Sequence, residues 1–274
     1  MKINVIKIGG NVVDNEEMLK RFARDFASMD GARILVHGGG VMASALQRKM
    51  GMEPVMVAGR RVTDGQTLEI VTMVYAGWCS KHITAILQSA GCNAAGFCGA
   101  DGNLVRATRR PPVNITTLEK DGESHTRKVD FGSVGDINHD GVNAVFLENM
   151  LEQGITPVLC AITHDGQGNL LNTNADTVAS SVAEALAVCG HETELVYCFE
   201  KNGVLYDKDD PESVIPEITP ELYSSLKDGR RVADGMIPKL DNAFKALERG
   251  VSKVVIKHAC NLCNSTGTVI LGHK

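Results

Sequence analysis

Three features of this 274-residue sequence predict an α/β fold built around a mainly parallel sheet. Two strand, glycine-turn and helix units follow one another at the N-terminus. Strand and helix patterns alternate through most of the remainder, and 43% of residues are hydrophobic, enough for one large core or two closely joined lobes. Residues 3–8 form a β-branched run stopped by Gly9-Gly10, after which Met18, Leu19, Phe22, Phe26 and Met29 recur at helical spacing across 15–29. Residues 33–37 repeat the strand, Gly38-Gly39-Gly40 the turn, and 41–50 the helix, ended by Gly51. Tandem units of this kind place their strands in parallel.

Thr63-Asp64 is positioned to cap a long helix reaching Ala90, with Leu68, Val71, Val74, Tyr75, Trp78, Ile83, Ile86 and Leu87 as its apolar face and Gly91 closing it. Residues 94–98 give the next strand. From 99 to 140 the pattern changes: Pro111-Pro112, Asp121-Gly122 and alternating polar residues indicate a hairpin-rich excursion on the sheet's edge. Its basic residues, Arg106, Arg109, Arg110, Arg127 and Lys128, read as a solvated hairpin face. Alternation then resumes with a helix over 144–152, a strand over 157–162, a hairpin at 165–168 and a helix from the Asn172–Asp176 stretch to Cys189. A strand over 195–199, a helix over 238–249 and a last central strand over 251–257 follow. No Ser/Gly-rich linker or short-period repeat interrupts the chain, so two lobes, 1–171 and 172–274, are expected to share one sheet.

Lys plus Arg number 28 against 33 for Asp plus Glu, a formal net charge of -5. That balance supplies no global basic field for nucleic acid and points to a small-molecule partner. The N-terminus lacks the apolar core and cleavage site of a signal peptide, and no run approaches the roughly 18 apolar residues of a membrane span. Eight cysteines sit mostly inside apolar runs, which reads as reduced thiols in a cytoplasmic protein.

There is no G-x-x-x-x-G-K-[ST] motif, and the dinucleotide fingerprint is incomplete, with Ala43 at the nearest position and no acidic residue placed for a ribose. Instead, Gly9-Gly10 and Gly38-Gly39-Gly40 each lie between a strand and a helix. There they either serve tight turns or let backbone N–H groups face an anion. Lys7 ends an otherwise apolar strand, where an ammonium is costly to bury without a compensating charge. Lys239 opens a helix directly after Pro238, and Asp176 lies at a strand-to-helix junction, where it either caps the helix or holds lysine ammonium groups.

These residues resemble the amino acid kinase family, and within it the N-acylglutamate kinases, over essentially the whole chain. The resemblance rests on Lys7-Ile8-Gly9-Gly10, His37-Gly38-Gly39-Gly40, Gly59-Arg60-Arg61-Val62-Thr63, residues 130–136, residues 171–176, residues 234–239 and Gly267-Thr268. The first two motifs mark only the superfamily; the Gly-Arg-Arg-Val-Thr, Asn-x-Asn-Ala-Asp and Gly-Met-Ile-Pro-Lys stretches are the specific ones.

The resemblance implies a three-layer sandwich with a mainly parallel central sheet, like that of carbamate kinase, and ATP-dependent phosphorylation of the γ-carboxylate of N-acetyl-L-glutamate in arginine biosynthesis. It implies that Lys7 and Lys239 neutralise the transferring phosphoryl group while Asp176 orients both. Gly9, Gly10 and Gly38, with Gly39 beside them, would hold phosphate through their N–H groups, and Gly39 and Gly40 would line the substrate side. Arg61 would clamp a substrate carboxylate in bidentate fashion, with Asn172 and Asn174 fixing the amino acid. An acceptor that is already a carboxylate needs no general base, which leaves His37 to support the glycine turn. Mg²⁺ would travel with ATP, because no carboxylate cluster offers a dedicated metal cage. His258, Cys260 and Cys263 fall one short of the four ligands of a structural zinc site.

One stretch departs from the pattern. Where the family commonly has a Thr/Ser-Asp pair, this chain has Phe199-Glu200-Lys201-Asn202 before Gly203. Glu200, Lys201 and Gly203 would then stand on the nucleotide side, with Lys201 either reaching the nucleotide or sitting in a solvent-facing loop. Two other readings stay open: an N-succinyl-L-glutamate kinase, suggested by Arg60 beside Arg61 and by the basic hairpin, and a catalytically inactive, effector-sensing homologue. Arginine-inhibited family members carry an extra N-terminal helix that joins dimers into a hexameric ring. Here Ile3 already starts the first strand, and the long helix is apolar on more than one face, so a homodimer indifferent to arginine is expected.

Overall fold

The computed structural model describes residues 1–118, 124–207, 209–228 and 236–272. The helices are α1 (Gly10–Val13), α2 (Glu16–Ser28), α3 (Gly40–Lys49), α4 (Gly65–Ser89), α5 (Ala144–Glu152), α6 (Ala175–Val188), α7 (Pro220–Asp228) and α8 (Ile237–Glu248). The strands are β1 (Lys2–Ile8), β2 (Ala32–His37), β3 (Met56–Val57), β4 (Arg60–Arg61), β5 (Ala94–Phe97), β6 (Val105–Arg109), β7 (Val113–Leu118) and β8 (Ser124–Val129). They continue with β9 (Gly135–Val142), β10 (Thr156–Cys160), β11 (Ile162–His164), β12 (Leu170–Asn172), β13 (Glu192–Phe199), β14 (Glu217–Ile218), β15 (Lys253–His258) and β16 (Thr268–Ile270).

Eight strands form one continuous sheet in the order β14-β16-β15-β13-β1-β2-β10-β5, all parallel except where β16 runs against β15. The central strands are buried on both faces, with Ile3, Val5, Ile6 and Ile8 of β1 at 0% exposure, because α2 and α4 cover one face and α5, α6 and α8 the other. Strand β1 sits where the connections diverge, with β2 on one side and β13 on the other. Sheets of this kind open a crevice beyond the carboxyl ends of such strands. Lys7, Gly9 and His37 all lie at that end, and the Gly9 N–H donates to Cys198 O of β13 at 3.0 Å.

The 99–140 excursion does not extend the central sheet. Its strands β6 and β9 join β11 and β12 in a separate sheet, β12-β11-β6-β9, and β7 and β8 form a two-stranded hairpin. The strand expected over 157–162 breaks at Ala161: β10 stays in the central sheet, while β11 pairs antiparallel with β12 and parallel with β6. The crossing is tight at Gly99, where a Cβ would lie 2.5 Å from Val105 O and 2.8 Å from Thr163 Cα, so only glycine fits. The Asp121-Gly122 turn lies outside the described residues. Strands β14 and β16 were not anticipated, since two or three residues carry too short a pattern, and α7 was also missed.

Helix α4 starts where expected, with Asp64 Oδ1 accepting from Thr67 N at 2.8 Å, but residues 73–79 are π-helical. The extra residue per turn rotates the apolar stripe. Tyr75 and Cys79 therefore turn inward, while Trp78, expected on the apolar face, is 60% exposed and stacks on His82. This helix is long and apolar enough to cross a membrane by length and composition, against the sequence expectation; half of it is buried, with Ile70, Val71, Ile83 and Leu87 in the core, as in a core helix.

Removing the α4 cap tests this reading of its start. Asp64→Ala is expected to cost about 1 kcal/mol, read as a lower urea midpoint at unchanged m-value.

Candidate active site

The first turn of α6 holds the site's central group. Asn174 caps the helix, its Oδ1 accepting from Asp176 N at 2.7 Å and from Thr177 N at 3.2 Å. Asp176 is thus free of the capping role that its position also allowed. Its carboxylate lies 2.8 Å from Lys7 Nζ through Oδ1 and 2.7 Å from Lys239 Nζ through Oδ2. Burial alone would raise the Asp176 pKa, but the two ammonium charges outweigh it and hold the group at about 2. The Lys239 contact is an aligned hydrogen bond, whereas the Lys7 contact is a close ion pair without that alignment. Two ammonium groups against one carboxylate leave an excess positive charge, set at a helix N-terminus that itself favours anions.

The two glycine turns face this point. Among Gly9, Gly10, Gly38 and Gly40, none has a φ in the left-handed region, so dihedral freedom is not why glycine stands there. A Cβ on any of the four would meet only ordinary contacts at 3.5 Å or beyond, Val41 for Gly10 and Ala175 for Gly38 among them. Glycine at these positions keeps a hollow open in front of the N–H groups. Gly39 differs: a Cβ there would lie 2.7 Å from Tyr75 Cδ1 and 3.0 Å from Cys79 Sγ, so packing against the π-helical segment excludes it. His37 is fully buried and its Nδ1 lies 2.7 Å from Gly38 O, which can only accept, so Nδ1 carries the proton and Nε2 has no partner. Burial lowers its pKa to about 4, opposed by the Gly38 bond. A neutral imidazole bracing the turn is the result.

Beside this cluster is a cavity of about 250 Å³ lined by Gly38, Gly40, Arg61, Asn172 and Asn174, five of the expected residues, together with Arg60, Arg110 and Asp136. Arg61 is buried and donates through Nη2 to Gly40 O at 2.9 Å and to Ser44 Oγ at 2.7 Å, and through Nη1 to Gln47 Oε1. Those bonds spend three of its five N–H groups, including both on Nη2, so the guanidinium is fixed, and the two donors that remain, one on Nε and one on Nη1, lie on different edges of it. Asn172 donates to Thr63 Oγ1 at 3.0 Å. Arg110, expected on a solvated face, instead turns inward to chelate Asp136, with Nε 3.1 and 3.0 Å from the two carboxylate oxygens. Its place in the cavity is not readable from a run of basic residues, because only the pairing of β6 with β9 brings it within reach of Asp136.

Residues 2–258 match the family model described as the amino acid kinase family. The chain belongs to this family. It is 46% identical to the acetylglutamate kinase of Phocaeicola vulgatus, across 98% of each chain, and 49% identical to that of Cytophaga hutchinsonii, across 95% of this chain and 93% of the relative. Among solved structures, smu.665 of Streptococcus mutans UA159 superposes with a TM-score of 0.74 at 27% identity, covering 98% of both chains.

The residues expected on the nucleotide side lie apart from the cavity lined by Arg61. Glu200 and Lys201 are exposed beyond β13, and neither lines the cavities described. Gly203 is buried, and a Cβ there would lie 2.7 Å from Thr268 Oγ1, so close packing calls for glycine at this position. A separate hollow of about 330 Å³ nearby is lined instead by Asn202, Asn261, Ser265, Thr266 and Gly267. Asp234 and Gly235 lie outside the described residues.

His37 makes the fold sensitive to acid. A folded-state pKa near 4 against about 6.5 unfolded means the unfolded chain binds more protons between those values, so stability is full above 6.5 and falls as pH drops toward 4. The loss attributable to His37 is about 3 kcal/mol. Urea unfolding from pH 7 to 4.5 checks this, and His37→Gln, which still has an N–H for Gly38 O, should flatten the dependence.

Proposed function

We propose that the chain transfers the terminal phosphoryl group of ATP to the γ-carboxylate of N-acetyl-L-glutamate, giving ADP and the acyl phosphate, a step of arginine biosynthesis. The observation that carries this is the buried Lys7–Asp176–Lys239 cluster, facing two open glycine turns and adjoining a cavity with a fixed arginine. The acetylglutamate kinase relatives at 46% and 49% identity support the same substrate. In the transfer, a γ-carboxylate oxygen attacks phosphorus from the side opposite the bridging oxygen, the bond to ADP breaks, and ADP leaves with the electron pair. The nucleophile is ionised at neutral pH, so no residue removes a proton, in keeping with a neutral His37 held by Gly38.

Catalysis is then positioning and charge stabilisation. Lys7 and Lys239 offset charge on the moving phosphoryl group, and Asp176 keeps both ammonium groups in place. Gly9, Gly10 and Gly38 hold phosphate oxygens through N–H groups, with Gly39 and Gly40 on the substrate side. The remaining Arg61 donors take the α-carboxylate, assisted by the side-chain amides of Asn172 and Asn174. Asp176 is already matched by two lysines, which suits an anion and not a resident cation; an Mg²⁺ ion arriving with the nucleotide would shield its phosphates. We assign acylglutamate binding and dimerisation to residues 1–171 and nucleotide binding to 172–274. Exposed Met73 and Trp78 on α4 support a two-fold partner, and eight free cysteines support a reducing, cytoplasmic setting.

Trapping the acyl phosphate with hydroxylamine tests the activity: ATP-dependent hydroxamate from N-acetyl-L-glutamate is expected, and its absence in folded protein excludes the reading. Lys7→Ala should lower kcat by about a thousandfold with a smaller change in the KM for the acylated amino acid. Arg61→Lys keeps the charge but loses the bonds to Gly40, Ser44 and Gln47 that fix it, so the KM for N-acetyl-L-glutamate should rise strongly while that for ATP barely moves.

A further inference from the structure

Arg61 by itself does not satisfy a substrate carboxylate. Three of its five N–H groups are spent on Gly40, Ser44 and Gln47, and the two left over lie on different edges, so they do not close as a fork on both oxygens. A carboxylate has room for about four hydrogen bonds, so its removal from water into this cavity calls for a further donor beside Arg61.

Tyr75 stands where such a donor is needed. Its side chain is 6% exposed and lines the cavity. The π-helical stretch of α4 turns it inward, and its ring passes so close to the second glycine turn that a Cβ on Gly39 would lie 2.7 Å from Cδ1. The hydroxyl reaches one residue further along that turn. A Cβ on Gly40 would lie 3.7 Å from Tyr75 Oη and 4.0 Å from Arg61 Nη2, so the space that Gly40 leaves open is bounded by the phenol and the guanidinium together. The hydrogen-bonding neighbour of the hydroxyl is the Arg61 guanidinium, which only donates, and the O–H proton therefore has no acceptor among the described residues. A buried donor in that condition is costly until an acceptor arrives. Burial raises the Tyr75 pKa, with the Arg61 charge acting the other way, so the group keeps its proton at neutral pH and is able to give a hydrogen bond.

We propose that Tyr75 is a substrate-binding residue for this reaction, its hydroxyl donating to the α-carboxylate of the acylated amino acid across the opening at Gly40, on the oxygen that Arg61 does not hold. This rests on the kinase reading. The contact lies at the end of the substrate away from the phosphorus, so the bond made and the bond broken are unchanged. It is formed in ground state and transition state alike and appears as a KM effect. The π-helical irregularity in α4 then has a use, since it carries the phenol to the ligand, as such segments often do at functional sites.

Tyr75→Phe keeps the ring beside Gly39 and removes the oxygen alone. 4-Acetamidobutanoate keeps the acetamide and the phosphoryl-accepting carboxylate of N-acetyl-L-glutamate and lacks only the α-carboxylate, so the two compounds are compared in the hydroxamate assay. In Tyr75→Phe the KM for N-acetyl-L-glutamate should rise about tenfold, the size expected for one hydrogen bond to a charged group, with kcat and the KM for ATP changed less than about twofold. The kcat/KM for 4-acetamidobutanoate should barely move. An unchanged KM, or a loss that falls equally on both compounds, overturns the inference and leaves the kinase reading intact. In an Arg61→Lys background, Tyr75→Phe should lower kcat/KM for N-acetyl-L-glutamate again; no further effect there means that the hydroxyl acts only by bracing Arg61, which also overturns the contact. Titration calorimetry with each compound, without ATP, reads the same comparison independently of turnover. If the wild-type protein forms no ATP-dependent hydroxamate while calorimetry shows the expected pattern, the kinase reading fails and the Tyr75 contact stands.

Discussion

Everything in the site is arranged around one buried carboxylate. Asp176 sits in the first turn of α6, a helix packed against the central strands, and it reaches both Lys7 at the end of β1 and Lys239 at the start of α8. Three elements distant in sequence are joined by two ion pairs at a point shielded from water. Buried ion pairs are a weak source of stability, because desolvation consumes most of the Coulombic gain. What the arrangement does provide is position. The carboxylate fixes the two ammonium groups by geometry, and their excess charge is retained for an anion that the protein itself does not supply.

The same economy explains the glycine turns. The sheet brings the ends of β1 and β2 side by side, so the two turns open into one crevice above the N-terminus of α6. Four of the five glycines have neither a left-handed backbone nor a close neighbour to forbid a side chain. Their small size serves space outside the protein. Gly39 alone is dictated from within, by Tyr75 and Cys79 on the π-helical segment of α4. A local irregularity in a helix thereby sets how closely the second turn approaches the substrate side.

Much of this was legible in the sequence because the signals were local. The βα units, the Asp64 cap and helices over 16–28 and 144–152 follow from periodicity and capping within a few residues. Lys7 stood out because an ammonium in an apolar strand demands a partner. The residues that were misjudged depend on pairing across long separations. Arg110 and Asp136 are 26 positions apart and meet only when β6 pairs with β9. Trp78 was placed on the wrong side because a π-helical turn shifts the stripe without changing the residue pattern. The packing of Gly203 likewise depends on Thr268, 65 positions later, which occupies the space a side chain would need.

Charge is distributed in a way that composition hides. The chain carries a formal net charge of -5, which taken alone would repel acidic substrates. Around the crevice, however, Lys7, Lys239, Arg60 and Arg61 are opposed by Asp176, while Arg110 and Asp136 cancel. A cleft of one sign set in a protein of the other concentrates field lines at its mouth, since low-dielectric walls screen the interior less than solvent screens the surface. The cationic pocket acts only on ligands that enter it. Selectivity among anionic amino-acid derivatives then follows from where their charges fall relative to fixed arginines rather than from total attraction. Arg61, locked by Gln47, Gly40 and Ser44, is an arginine fixed in this way.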